Sequence, residues 1–249
     1  MSVNTPRPVR PASRFSPRPS GFDPSAQPVA LRSEEVRAEF ITKTYLHLFG
    51  AILAFTLLET AYFKTGLALP IAQALLSVSW LAVMGAFIVV SWLASRFAHV
   101  AESPSTQYAA LAAYVIAESI IFVPLLLIAQ LTAPGVIQSA AVVTLFAFTG
   151  LTVLVYASRK DFSFLGGLLG WCGVVALTLI ASGVIFGFEL GTFFSVAMIA
   201  LAGGAVLHDT SKVLHHFPED RYVAASLELF ASVALMFWYV LRLYLRSRD

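Results

Sequence analysis

The stretch YAALAAYVIAESIIFVPLLLIAQ, residues 108–130, carries one charged residue, Glu118, among mostly apolar neighbours. A bilayer core needs about 20 predominantly apolar residues per helix. The run lacks the period-two alternation of a strand, and an open sheet could not satisfy its backbone in lipid. It reads as a membrane-spanning helix.

Working outward, the pattern recurs near 44–63, 78–95, 136–157, 164–187, 192–207 and 224–243. That makes seven spans and an all-α membrane protein. Composition agrees: 58% of the chain is hydrophobic and 12% charged, where a soluble domain is about a quarter charged. The single cysteine, Cys172, closes no internal disulfide.

Residues 1–32 are a different material, rich in proline, serine and arginine. Such a segment buries too little surface to offset its ordering entropy. The expectation is a disordered tail at 1–32 and a transmembrane domain over 33–249. No apolar core follows the early arginines, so it is not read as a secretory signal. Arg7, Arg10, Arg14 and Arg18 offer a membrane-surface alternative. With the tail inside, twelve basic residues fall on the inner side and four on the outer. The positive-inside rule then puts the N-terminus in the cytoplasm. The last span resists the rule, because RLYLRSRD would lie outside with three arginines. It either crosses despite its charge or re-enters.

A carboxylate in a span costs on the order of 2.5–3.5 kcal/mol at the helix centre. Four invite attention. Glu59 lies near the outer end of the first span and reads as incidental. Glu118 is mid-span. Glu228 sits in the first turns of the last span, and Asp209 closes the sixth. A helix C-terminus repels a carboxylate, so Asp209 is a candidate pH sensor. The alternative is that it caps the DTSK turn. His208, His215 and His216 match no zinc spacing, and no metal site is expected. No nucleophile–base pair or phosphate loop points to an enzyme. Gly183, Gly187 and Gly191, like Gly166 and Gly170, recur every four residues, as in close helix packing within a bundle, with a dimer seam as the alternative.

Several segments carry a family resemblance. SRKDFSFLGGLL (158–169) resembles the fourth-to-fifth joint of the Bax inhibitor-1 family, through Arg159, Lys160, Asp161, Phe162, Gly166 and Gly167. HDTSKV (208–213), AESIIFVPLL (117–126), RYVAASLELF…VLRL and VRAEFITKTYLHLFGAILAFTLL are similar to other parts of it. The resemblance covers roughly residues 35–249. It implies a seven-helix bundle with the last helix central, and a calcium leak gated by a pair of aspartates near an arginine. Asp209 matches the first aspartate. The second falls at Ser232, and Arg96 lies near the position of the arginine. Glu228, one turn before Ser232, is a candidate replacement for the missing carboxylate.

The serine also resembles the bacterial YccA-like branch, whose members modulate a membrane-anchored AAA protease of the inner membrane. Two functions from different classes follow. One is a pH-sensitive cation leak using Asp209, Glu228 and Glu118, with calcium held only transiently and no resident cofactor. The other is a non-conducting regulator of an AAA protease. The expected surroundings are the bacterial inner membrane, with lipid as a partner and no nucleic acid.

Overall fold

The structure, a computed structural model, describes residues 27–101, 103–158 and 160–247. Among these it is all helical: α1 (Glu34–Thr65), α2 (Ala68–Leu76), α3 (Trp80–Val100), α4 (Pro104–Thr132), α5 (Val136–Ser158), α6 (Leu165–Phe186), α7 (Thr192–His215) and α8 (Tyr222–Arg246). Seven of them, all but α2, are long and apolar enough to cross a membrane.

The boundaries have local causes. Ser33 caps α1 by accepting from the Val36 N–H, and Glu34 and Glu35 complement the dipole in the first turn. The helix thus begins ten residues before the expected span at 44. Its early turns are polar, with Lys43 paired to Glu39 at 2.7 Å. At about 1.5 Å per residue, the 32 residues of α1 exceed a hydrocarbon core. Gly66, Gly135 and Gly187 adopt positive φ of 79°, 85° and 71° at the turns after α1, before α5 and after α6.

Helix α2 was not expected from the sequence. Nine residues cannot span a bilayer, so α2 packs on α4 instead. Its Ala68 and Ala72 are buried against Val123. The sixth span also ends later than expected. Helix α7 continues to His215, so Asp209 lies within the helix and neither closes it nor caps a turn.

Two helices form the interior. The most apolar window of α8 is 72% buried and that of α4 56%, against at most 22% for the other five spans. Helix α8 packs on α1, α3, α4, α5 and α7, while α6 packs chiefly on α7. The outer helices turn large apolar side chains outward, among them Phe146, Trp171 and Phe193. That arrangement suits a hydrocarbon solvent.

One end of the bundle gathers the chain entering α1 and three turns. The Val29 N–H donates to the Phe217 carbonyl at 2.8 Å, and Arg32 forks onto Glu219 at 3.0 Å. Arg221 donates to the Ala101 carbonyl at 2.8 Å. Residues 28–32, assigned to the tail by composition, are therefore held against the α7–α8 turn, with Val29 fully buried. Arg7, Arg10, Arg14 and Arg18 lie outside the described residues. At the opposite end, Arg246 donates to Glu189 and to the Leu190 carbonyl. Helix α8 is continuous over 25 residues and does not turn back within its length.

The small-residue pattern divides on inspection. A Cβ on Gly166 would stand 2.9 Å from His208, and one on Gly204 would stand 3.0 Å from Leu169, so α6 and α7 meet closely there. Gly170, Gly187 and Gly191 face nothing within 4 Å. Gly183 has the Phe188 carbonyl 3.1 Å from where a Cβ would stand, so within this chain the spaced glycines are closely packed only at Gly166 and Gly183.

Candidate functional site

Helices α7 and α8 run antiparallel, and their facing register brings polar residues together in steps. Asp209 stands opposite Ser232, whose hydroxyl donates to Oδ2 at 2.5 Å. One turn toward the connecting loop, Lys212 stands opposite Glu228. Its ammonium donates to both carboxylate oxygens at 2.8 Å. His99 on α3 reaches the same carboxylate, with Nε2 2.9 Å from Oε1. Its Nδ1 faces the Ser95 carbonyl at 2.7 Å. Both ring nitrogens face acceptors, an arrangement the doubly protonated ring satisfies. Phe217 covers this cluster. Its ring lies 5.3 Å from the Lys212 ammonium and 5.7 Å from the His99 ring.

The arrangement separates two carboxylates by role. Glu228 is 17% exposed at its side chain and is engaged by the Lys212 ammonium and the His99 ring, so its charge is compensated locally. Asp209 receives one hydroxyl hydrogen bond and ties α7 to α8. The oxygens of Glu228 are engaged by Lys212 and His99. Ser232 answers Asp209 directly.

A second network lies in the α5–α6 turn. Asp161 Oδ1 accepts from the Ser163 N–H at 2.8 Å and from the Ser211 hydroxyl at 2.9 Å, and Oδ2 is 2.9 Å from His216 Nε2. The Phe162 N–H donates to Ser211 at 2.8 Å. Burial pushes the Asp161 carboxyl upward, but hydrogen bonds from Ser163, His216 and Ser211 outweigh it and hold it well below the usual carboxylate range. The motif thus fastens the α5–α6 turn to the end of α7.

The other expected residues fall elsewhere. Arg96 points away from the seam, exposed, with its guanidinium 5.7 Å from the Trp92 ring. The α3 side chain that reaches the seam is His99, three residues on, at nearly one turn's spacing. Glu118 is buried in α4, one turn beyond Tyr114, and its Oε2 has no hydrogen-bond partner. Lys160 is exposed, Gly167 is open, and Arg159 lies outside the described residues. Sequence reasoning missed His99, Lys212 and Ser211 as site residues. Lys212 and Ser211 are three and two residues beyond Asp209, and a longer α7 would have placed both on the helix. Among the described residues, no three metal-ligating side chains converge.

The fold and seam define a multi-pass helical membrane protein whose last two helices are joined through Asp209–Ser232 and Glu228–Lys212. The family description "Inhibitor of apoptosis-promoting Bax1" matches residues 37–249. The chain belongs to this family, the Bax inhibitor-1 family. It is 30% identical over 113 residues to an uncharacterised protein of Pseudomonas aeruginosa, covering 44% of this chain and 50% of that one. It is 32% identical over 113 residues to Bax inhibitor 1 of Schizosaccharomyces pombe, covering 43% and 41%. It is 32% identical over 95 residues to the modulator of FtsH protease YccA of Escherichia coli, covering 38% and 43%. These matches span half or less of the relatives' own length. No solved structure matches the chain.

Proposed function

We propose that this protein is a bacterial inner-membrane regulator of a membrane-anchored AAA protease, acting by binding and neither by catalysis nor by steady conduction. The observation that carries the reading is the closed α7–α8 seam. Glu228 is engaged by Lys212 and His99, and Asp209 by Ser232, which leaves no free carboxylate pair between the helices. The similarity to the modulator of FtsH protease supports the same reading. In this reading the tail lies on the cytoplasmic side, where the protease grasps it.

The test is co-purification with the membrane AAA protease and the rate at which that protease degrades a reporter. The informative deletion is residues 1–26, because residues 28–32 pack on the bundle and their loss would perturb the fold. The deletion is expected to abolish regulation while the protein stays in the membrane. Unchanged regulation would sink the tail mechanism.

A second reading, a pH-sensitive cation leak, is favoured by one observation. Asp209 is joined to α8 through a single hydroxyl hydrogen bond, so its protonation state bears directly on the seam. Calcium would meet the seam carboxylates only transiently, since hard cations need several oxygen ligands. Calcium flux in liposomes from pH 6 to 8, with Asp209→Asn as comparison, tests it. No flux from the unaltered protein rejects it.

A further inference from the structure

Alongside α8, α1 and α5 each lean on it and leave a gap between them. The gap is a cavity of about 760 Å³, within the range that holds a small organic ligand. Phe55, Phe63, Phe230 and Phe237 line it. Glu59 lines it too. Its side chain is nearly buried, with the residue 7% exposed, and neither carboxylate oxygen has a hydrogen-bond partner. Thr144, across the cavity on α5, is 2% exposed and its hydroxyl is likewise unpartnered. A buried carboxyl without a partner is costly, so the walls alone do not explain Glu59.

We propose that this cavity binds a lipophilic amine, with its ammonium on Glu59 and its apolar body between the phenyl rings. The carboxylate supplies the countercharge. Phenylalanine faces attract cations, and more strongly when water is excluded. Thr144 offers a hydroxyl to accept a further ammonium proton. A free amine fits better than a phospholipid headgroup. Glu59 lies six residues, about 9 Å, inside the last residue of α1, whereas a phosphate holds a lipid amine at the interface.

The full chain in phosphatidylcholine nanodiscs tests this by calorimetric titration with 4-phenylbutylamine, using 4-phenylbutanol as the uncharged match. The amine is expected to bind saturably at one site and the alcohol only to partition into lipid. Glu59→Gln is expected to weaken amine binding at least tenfold. Glu189→Gln, at an exposed turn, should leave it unchanged. Ala141→Phe fills the cavity with Glu59 intact and should abolish binding, which keeps the test decisive if Glu59→Gln fails to fold. Equal binding by the unaltered protein and Ala141→Phe overturns the proposal, as does equal saturable binding of amine and alcohol. Loss of amine binding when phosphatidylethanolamine replaces part of the phosphatidylcholine assigns the site to a lipid headgroup and overturns it as well.

Discussion

At Glu228, an ammonium and an imidazole converge on one carboxylate that is largely removed from solvent. Removing one partner of such a cluster leaves the others undercompensated. Lys212→Met is expected to destabilise the protein by about 1–3 kcal/mol, because Glu228 keeps only His99. A double-mutant cycle with Glu228→Gln should return a coupling of about 0.5–3 kcal/mol, measured by denaturant unfolding in micelles. A coupling near zero would place the pair with inert surface ion pairs. Asp161 permits a pH test. Its folded carboxyl is held below the unfolded value, so its contribution is present above the unfolded pKa, about 3.9, and is lost as pH falls through the folded value. His216, Ser211 and Ser163 face it, and Lys160 precedes it. The unaltered protein should therefore be more heat-stable than Asp161→Asn at pH 5–7. The gap should narrow below about pH 4. A gap that widened on acidification would contradict this sign.

At the level of helices, α6 meets α7 where Gly166 faces the His208 ring, and a Cβ there would require the ring to move. Gly166 has the His208 ring at 2.9 Å from where a Cβ would stand, whereas neighbouring Gly167 faces open space. Gly166→Ala is expected to cost about 1–3 kcal/mol by forcing His208 or the helix aside. Gly167→Ala should be neutral or slightly stabilising, since alanine favours helix. Thermal unfolding of the two variants side by side checks this, and equal effects would remove the close-approach argument. The same two glycines show what a sequence can convey. Both belong to one quoted motif, and nothing in their order says which faces a neighbour. Long apolar runs made the seven spans legible, because the bilayer imposes a length. Helix α2 was not legible, because a nine-residue apolar segment between spans looks like a joint until Val123 is seen covering its alanines. The extent of α7 was missed because polarity after Val206 suggested an end. In the structure those polar residues continue the helix and face partners on α8 and in the α5–α6 turn. Asp209 and Ser232 were legible as a pair through the resemblance. His99 was not, since a histidine three residues beyond an arginine carries no mark of which one turns inward.

Across the whole molecule, an odd number of crossings puts the two chain ends on opposite faces, and the charges sort with them. Among the described residues, Arg32, Arg37, Lys43, Arg96, Lys160, Lys212 and Arg221 belong to the end where the chain enters α1, and Lys64, Arg242 and Arg246 to the other. The excess is what a cytoplasmic face carries. The basic C-terminal stretch that argued against crossing is accommodated locally. Arg246 meets Glu189 and the Leu190 carbonyl in the α6–α7 turn, so part of its charge is answered at that face. Cysteine labelling tests the arrangement. In a Cys172→Ala background, Leu31→Cys reports the entry to α1 and Ser247→Cys the end of α8; Leu31 is 73% exposed. A membrane-impermeant thiol reagent added outside intact spheroplasts is expected to modify Ser247→Cys and to reach Leu31→Cys only after the membrane is opened. The reverse pattern would keep seven crossings and invert the orientation, placing the tail out of reach of a cytoplasmic protease. Modification of both from outside would mean an even number of crossings, and α8 would then have to leave the centre of the bundle, where α1, α3, α4, α5 and α7 now enclose it.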